Sequence, residues 1–348
     1  MPEERLELSW VAPHDFESCA YTIPPFRHRP SIALCEGGLR SYNTPAMAKK
    51  QKILIIVGPT ASGKSALAVE LARKFGGEII SADSRQVYKG LDMGTGKITK
   101  REMKNVPHHL LDVASPKKNF SAGDYVRLAC KAADMIYHIN HLPVVVGGTG
   151  FYIDALVGRI ALPDVPPNKA LRLRLAKKTV AQLFAILKKK DPRRARAMAT
   201  PSERNNKIRL IRALEIARFQ RSGMMEVRPP SFDVFWIGVR PEDAELRKRI
   251  NIRLRERLGK GMIGEAKKLH AKGLSFKRME ELGLEYRSLA RHLRGDISRK
   301  EMQEELQSDI WRYSRKQIGY WRRNKEIKWF EPKEKTTIEK TIRVWLRK

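Results

Sequence analysis

The sequence has few cysteines, no long apolar run and a shortage of acidic residues. Its three cysteines, Cys19, Cys35 and Cys130, are scattered and lack metal-ligand spacing, so we expect neither a zinc site nor a disulfide framework. No stretch reaches the roughly 18 apolar residues of a membrane span, and the N-terminal "MPEERLELSW" lacks the apolar core of a signal peptide. We therefore expect a protein of the reducing cytoplasm with no membrane partner.

The shortage of acidic residues leaves a large positive charge. The 348 residues include 70 Lys and Arg against 38 Asp and Glu, a formal net charge of +32, which is more than solubility needs. Nucleic acid is the favoured polyanionic partner. A solvated basic surface and an anionic membrane are the alternatives, but no basic amphipathic helix with a clean apolar face supports the membrane.

The most specific pattern is a phosphate-binding loop. The segment "ILIIVGPTASGKSALAV" places Gly58, Gly63, Lys64 and Ser65 at the required spacing between an apolar strand and an amphipathic helix. Glycines allow backbone N–H groups to converge on phosphate oxygens, while Lys64 adds a positive charge and the Ser65 hydroxyl can reach Mg²⁺. The loop predicts a polyphosphate site.

A second apolar strand carries a carboxylate to the same crevice. Asp83 follows "EIIS", and ligands of open α/β sheets lie at the carboxyl ends of the strands. The segment "DSRQVY" is suited to binding a base and its sugar, although a helix cap or a turn is the alternative role for Asp83. The strand "LPVVVGGTG" ends in glycines and Thr149 and lacks the Mg²⁺-binding aspartate of many nucleotide hydrolases, which disfavours ordinary hydrolysis.

Histidines and arginines outside the loop are open to more than one interpretation. For His108 and His109 we favour a structural or substrate-lining role over metal binding, because neighbouring residues point in different directions and no partners stand at ligand spacing. Arg209 and Arg212 share one helix face, which fits either a solvated basic face or a nucleic-acid contact.

Two further helices combine arginines with the predicted site or with aromatic residues. Arg249 and Arg253 stand one turn apart and could reach the phosphate crevice. The segment "IWRYSRKQIGYWRR" mixes aromatic and basic side chains, as proteins that stack on bases do. Its aromatic residues are Trp311, Tyr313, Tyr320 and Trp321, and we expect half of them to belong to the core.

These patterns predict an α/β fold with a P-loop NTPase-like parallel sheet, an inserted helical domain and C-terminal helices. Residues 1–46 lack periodicity and are predicted to be a disordered extension or the product of a wrongly chosen start. Residues 51–165 alternate strands and helices and form the core. Residues 166–228 form the helical insertion, and residues 229–348 add a returning strand, basic helices, a final strand and a short helix.

Several separated motifs make the chain resemble the tRNA dimethylallyltransferases, also called isopentenyl-tRNA transferases. The shared motifs are "GPTASGKS", "ISADSRQVYKGLDMGTGK", "PHHLLDV", "FSAGDY", "VVVGGTGFYIDAL", "RLIRALE" and "RKQIGYWR", in the family's order and spacing. The resemblance implies transfer of a dimethylallyl group from dimethylallyl diphosphate to N6 of the adenosine 3′ to the anticodon. The implied substrates are tRNAs that read codons beginning with U, with Mg²⁺ as cofactor and diphosphate as product. Apart from the resemblance, we expect the protein to be a monomer.

The resemblance also assigns roles to individual residues. Asp83 would take or orient the amine proton, Thr149 would bridge the two substrates, and Lys64 would complete the catalytic set. Ser65 would bind Mg²⁺ together with the diphosphate. The implied diphosphate-binding residues are Gly58, Pro59, Thr60, Ala61, Ser62, Gly63, Lys64, Ser65 and Arg253. The implied tRNA-binding residues, which extend to the helical insertion and the C-terminal helices, are Asp83, Ser84, Arg85, Gln86, Thr149, Arg172, Arg209, Arg212, Tyr286, Arg287, Arg315, Lys316, Gln317 and Arg322.

Three positions in two motifs depart from the family pattern, and other functions stay open. Glu285 stands where the family has Gly, while Gly319 and Tyr320 replace the usual Thr-Trp pair. The alternatives are an isopentenyltransferase for free adenine nucleotides, a small-molecule kinase with a phosphate loop, and a non-catalytic RNA-binding protein. A free nucleotide needs no extended basic surface, and a kinase leaves the basic and aromatic C-terminal helices unexplained.

Overall fold

The computed structural model describes residues 50–163, 165–198, 200–219, 226–227 and 231–348. The predicted extension at residues 1–46 lies outside the described residues. The strands are β1 (Gln51–Val57), β2 (Gly77–Ser81), β3 (His108–His109), β4 (Leu142–Gly147), β5 (Leu162–Pro163), β6 (Glu226–Val227), β7 (Phe232–Val239) and β8 (Lys328–Phe330). None of the described helices has the length and apolar character needed to cross a membrane.

The helices fall into three groups along the chain. Those of the sheet region are α1 (Lys64–Phe75), α2 (Lys100–Met103), α3 (Ala122–His138) and α4 (Gly150–Leu156). Those of the insertion are α5 (Lys169–Ala176), α6 (Val180–Lys190), α7 (Pro192–Ala197), α8 (Pro201–Arg204) and α9 (Lys207–Phe219). The C-terminal ones are α10 (Asp243–Gly259), α11 (Met262–Ala271), α12 (Phe276–Leu282), α13 (Leu284–Arg294), α14 (Arg299–Trp321) and α15 (Lys335–Arg347).

The main sheet has six strands in the order β3-β2-β4-β1-β7-β8, and all its pairings are parallel. The central strand β1 is a continuous apolar run, as expected for a strand covered on both faces. Its side chains alternate between the faces. Ile53, Ile55 and Val57 belong to the core under α3, α4 and the C-terminal helices, while Leu54 and Ile56 face α1 and α15.

Parallel pairing brings four chemically important segments to one edge of the sheet. The phosphate loop follows β1, residues 82–86 follow β2, residues 148–149 follow β4, and α10 begins shortly after β7. The carboxyl ends of parallel strands share an edge, so these segments surround a common crevice. The predicted α/β fold with its parallel sheet is confirmed.

A short pair of antiparallel strands stands at the two ends of the insertion. β5 and β6 pair antiparallel, so the chain leaves and re-enters the sheet region side by side. Between them, α5, α6 and α9 bury a small separate core that includes Leu171, Leu183 and Leu210. The insertion therefore has its own hydrophobic cluster, distinct from the two that cover the sheet.

Candidate active site

The loop after β1 is shaped to present backbone N–H groups to an anion. Gly63 adopts φ 91°, which favours glycine, and begins α1 without a side-chain cap. The first N–H groups of α1 therefore lack a side-chain partner and face the crevice, the usual arrangement for phosphate binding. Gly58 is fixed by space, since a Cβ there would overlap the Val239 carbonyl oxygen.

Lys64 lies at the centre of the charged groups around this loop. Its ammonium group donates to the Pro59 carbonyl oxygen at 3.1 Å. Burial lowers the pKa of Lys64 from 10.5 to about 8; the Asp83 carboxylate opposes this change and Arg253 adds to it. The structure thus brings together Lys64, Asp83 and Arg253, which the sequence analysis had placed in one site.

Two arginines lie near the loop on α10, the helix that follows β7. Arg253 donates to the Gly96 carbonyl oxygen at 2.7 Å. The Arg249 guanidinium lies 3.7 Å from the position that a Cβ of Gly63 would take. Burial lowers the pKa of Arg253, and the neighbouring Arg257 lowers it further, while the carboxylates of Glu285, Glu102 and, to a smaller extent, Asp83 raise it. The crevice therefore concentrates positive charge where an anion would bind.

Asp83 and Thr149 are held by backbone hydrogen bonds on the opposite side of the crevice. Asp83 Oδ1 accepts from the Arg85 N–H at 2.8 Å and the Gln86 N–H at 3.3 Å. Thr149 Oγ1 accepts from the Ser84 N–H at 3.0 Å. Within the part of the chain that the structure describes, Asp83 Oδ2 accepts no hydrogen bond. Asp83 therefore makes a turn through Oδ1, and Oδ2 is available to a ligand.

A network that the sequence analysis did not predict holds residues 92–96 beside Arg253. The Glu265 carboxylate accepts from three consecutive backbone N–H groups, those of residues 92, 93 and 94, at 2.7–3.0 Å, and from the Tyr286 hydroxyl at 2.6 Å. Arg257 donates to the carbonyl oxygens of Met93 and Gly94. Arg257 also donates to Glu285 at 3.0 Å, so the residue that departs from the family pattern completes a buried ion pair.

Removing the Arg257 side chain is expected to lower the stability of the folded protein. Arg257→Met leaves Glu285 buried without its cation, so we expect the free energy of unfolding to fall by about 3 kcal/mol. Urea denaturation measures this loss. Arg255→Met changes an exposed arginine of the same helix and is the control. Equal midpoints for the two variants would show that the Arg257 ion pair contributes nothing.

The predicted tRNA-binding residues differ widely in exposure. Arg315 and Lys316 on α14 are exposed, as is Arg322 directly after this helix, and Arg287 is partly exposed. Of the aromatic residues on this helix, Trp321 is buried, whereas Trp311, Tyr313 and Tyr320 are partly exposed.

Two predicted tRNA contacts do not fit the structure. Tyr286 is 1% exposed, its ring packs against Gly94 and its hydroxyl donates to Glu265. Gln317 is 5% exposed and both ends of its amide bind backbone groups. Both assignments came from motif position, which does not reveal that the side chain points inward. The structure gives both residues internal roles.

The arginines of the insertion are held by carboxylates. The buried Glu215 binds Arg172 through two hydrogen bonds of 2.8 and 2.9 Å and Arg212 through one of 2.6 Å. Arg209 lies 3.4 Å from a Glu203 oxygen. With side-chain exposures of 16–19%, none of these three arginines forms a solvated face. Their assignment to tRNA stays a prediction, which the ion pairs weaken for Arg172 and Arg212.

One of the two adjacent histidines, His109, shares the Glu78 carboxylate with His141. His109 Nε2 lies 2.7 Å from Glu78, and His141 Nδ1 lies 3.1 Å from the same carboxylate. Among the described residues no group of three or more His, Cys, Asp or Glu side chains could hold a metal ion. The contact with Glu78 fits the structural or substrate-lining role expected for His109.

The parallel sheet, the loop at the start of α1 and the carboxylate on the opposite side of the crevice form a site that can hold an anion beside a second ligand. The family model described as IPP transferase matches residues 86–324. The chain belongs to this family, and it is an enzyme.

Curated relatives and solved structures agree with this result. The tRNA dimethylallyltransferase 2 of Citrifermentans bemidjiense is 42% identical over 271 residues, which are 78% of this chain and 86% of the relative. The tRNA isopentenylpyrophosphate transferase of Bacillus halodurans is 34% identical, with a TM-score of 0.65 over 86% of this chain and 97% of that one. A eukaryotic dimethylallyltransferase acting on tRNA shares the fold, with 21% identity and a TM-score of 0.67 over 81% of this chain and 74% of that one.

Proposed function

We propose that this enzyme transfers a dimethylallyl group from dimethylallyl diphosphate to N6 of the adenosine 3′ to the anticodon of tRNA. The observation that carries the proposal is the shared crevice, in which Lys64 and Arg253 of the phosphate side interact electrostatically with Asp83. The allylic C–O bond breaks, its electron pair leaves with the diphosphate, and a bond forms between N6 and the allylic carbon. One proton leaves the amine.

The phosphate loop and α10 would bind the leaving group. Negative charge develops on the diphosphate as the C–O bond breaks, and fixed N–H groups and cations stabilise that charge most where water is excluded. The N-terminus of α1, Lys64 and Arg253 supply these groups. Hydrolysis of a nucleotide would require a positioned water instead, for which the glycine-ended strand β4 provides no carboxylate.

Asp83 and Thr149 would act on the adenine side. An aromatic amine is a weak nucleophile, so a carboxylate within hydrogen-bond reach of N6 assists by accepting its proton. The Oδ2 atom of Asp83 is available for this step because the backbone bonds engage Oδ1. The adenosine must leave the base stack to reach this crevice.

Mg²⁺ fits the crevice as an ion bound together with the diphosphate. The Ser65 hydroxyl is exposed in the first turn of α1, and oxygen ligands suit this hard cation. No cluster of three acidic or histidine ligands occurs among the described residues, so substrate oxygens would complete the coordination. When bound, Mg²⁺ would neutralise part of the charge on the leaving group.

The positive charge of the chain supports tRNA as the acceptor. A net charge of +32 and the exposed basic residues of α14 provide a surface that a free nucleotide does not need. The few scattered cysteines are compatible with the reducing cytoplasm, where we propose that the enzyme acts as a monomer.

The tRNA surface is expected to include exposed arginines and to exclude buried ones. Arg322→Ala should reduce the slope of log affinity against log salt by about one unit, as one lost phosphate contact predicts. Arg212→Ala should chiefly lower thermal stability, because it leaves the buried Glu215 with Arg172 as its one remaining arginine partner. Filter binding at several salt concentrations and a thermal melt measure both effects. An unchanged slope for Arg322→Ala would remove this residue from the interface.

A side-by-side assay tests the function. Radiolabelled dimethylallyl diphosphate and Mg²⁺ are offered with unmodified tRNA or with AMP, and ATP consumption is followed in parallel. We expect label on tRNA alone. Label on AMP would assign the protein to the nucleotide-prenylating enzymes, and loss of ATP without label transfer would favour a kinase.

A further inference from the structure

Gln317 connects the two sides of the crevice. It lies on the buried face of α14, with Ser314, Ile318 and Trp321. Its Oε1 accepts from the Thr60 N–H of the phosphate loop at 2.8 Å, and its Nε2 donates to the Gly148 carbonyl oxygen at 3.0 Å. Because one partner can only donate and the other can only accept, they fix the orientation of the amide.

The two partners belong to segments that carry the predicted reaction. Thr60 lies in the loop of residues 58–63, which precedes Lys64. Gly148 precedes Thr149, whose N–H donates to the Ala82 carbonyl oxygen at 3.1 Å and whose Oγ1 accepts from Ser84. The Gln317 amide therefore joins the loop after β1 to the segment after β4, and through Thr149 to the segment that carries Asp83.

The atoms around this contact are closely packed. A Cβ added at Gly148 would overlap the Gln317 amide, so the helix and the segment after β4 approach as closely as glycine allows. The hydroxyl of Tyr313, one turn earlier on α14, also interacts with the Gln317 side chain. A side chain held at several points in a buried position fixes distances between its partners.

We propose that Gln317 is a positioning residue for the transfer reaction. Its side chain holds the phosphate loop at a fixed distance from Thr149 and Asp83, and it makes no contact with tRNA. The geometry explains the role: displacement by about 1 Å between a leaving group and its attacking nucleophile costs much of the rate. The inference rests on the proposed function, and it assigns to α14 an inward task in addition to its exposed basic face.

Gln317→Met tests the inference, since it retains length and removes both hydrogen-bonding groups. We expect the affinity for inorganic diphosphate with Mg²⁺ to fall about tenfold by calorimetry, as loss of buried hydrogen bonds predicts, and kcat for transfer to fall about tenfold or more. The tRNA affinity should stay within about twofold, because the side chain is buried. Gln307→Met on the same helix is the control and should leave all three quantities unchanged.

Two further variants separate positioning from a loss of folding. Gly148→Ala pushes the amide aside without changing Gln317 and should reproduce the weaker diphosphate binding. Gln317→Glu keeps an oxygen that accepts from the Thr60 N–H but places a second carboxylate oxygen against the Gly148 carbonyl oxygen. We therefore expect kcat to fall by a larger factor than the affinity for diphosphate. A variant that melts near the wild-type temperature and still shows these losses excludes a purely structural role.

The outcomes distinguish this inference from the proposed function. If Gln317→Met binds inorganic diphosphate as the wild type does and loses tRNA affinity instead, Gln317 is a tRNA contact and the inference is overturned. If the wild type transfers no label to tRNA, the proposed function fails, while the diphosphate titration still reports on the contact between Gln317 and the loop.

Discussion

Asp83→Asn is expected to lower kcat for prenyl transfer by about a hundredfold or more while tRNA affinity stays within about twofold. The asparagine Oδ1 can still accept from the N–H groups of Arg85 and Gln86, so the turn is retained. The amide nitrogen that replaces Oδ2 cannot take a proton from N6, and a positioned general base contributes about 10²–10⁴-fold to a rate.

Two comparisons isolate the carboxylate of Asp83. Asp83→Ala also removes the turn bonds and should abolish measurable transfer. Asp296→Asn, at an exposed surface position, is the control and should behave as the wild type. Single-turnover transfer and filter binding with tRNA supply the rate and the affinity. Normal turnover by Asp83→Asn would remove Asp83 from the mechanism.

Diphosphate affinity is expected to decrease as the pH rises through about 8. In the free enzyme Lys64 has its pKa lowered to about 8, chiefly by burial, so it is protonated below this pH and neutral above it. A bound diphosphate favours the ammonium form and raises its pKa. Above about pH 8 binding therefore takes up one proton, and the affinity should fall by up to about tenfold per pH unit until the pKa of the complex is reached.

Lys64→Met separates this effect from other titrations. We expect the variant to bind inorganic diphosphate about a hundredfold more weakly at pH 7, as loss of a charged hydrogen bond of about 1.5–3 kcal/mol predicts at its upper end. Its affinity should no longer change between pH 7.5 and about 9. Calorimetric titrations of wild type and variant over this range measure both quantities. A slope that persists in the variant would assign the titration to another group.

The sequence was most informative where function depends on local spacing. Gly58 to Ser65 form the loop that their pattern predicts, and Asp83 reaches the crevice because it follows a strand parallel to β1. Arg249 and Arg253 are also near the loop, since their one-turn spacing puts them on one face of α10 and this helix begins beside the carboxyl end of β7.

The sequence was least informative where a contact depends on distant packing. Gln317 and Thr60 are separated by 257 positions, and no local pattern shows that they share a hydrogen bond. Glu265 resembles any acidic residue of a surface helix until its three backbone partners are known. Tyr286 was likewise assigned to tRNA because a motif gives the position of a residue and leaves the direction of its side chain open.

The product of the reaction tests the central claim most directly. Two tRNA transcripts that differ only in the nucleoside 3′ to the anticodon, adenosine in one and guanosine in the other, are incubated with labelled dimethylallyl diphosphate and Mg²⁺, then digested and analysed by mass spectrometry. We predict N6-dimethylallyladenosine from the first transcript, one diphosphate released for each nucleoside modified, and no labelled product from the second. Equal labelling of both transcripts, or release of diphosphate without a modified adenosine, would contradict the account.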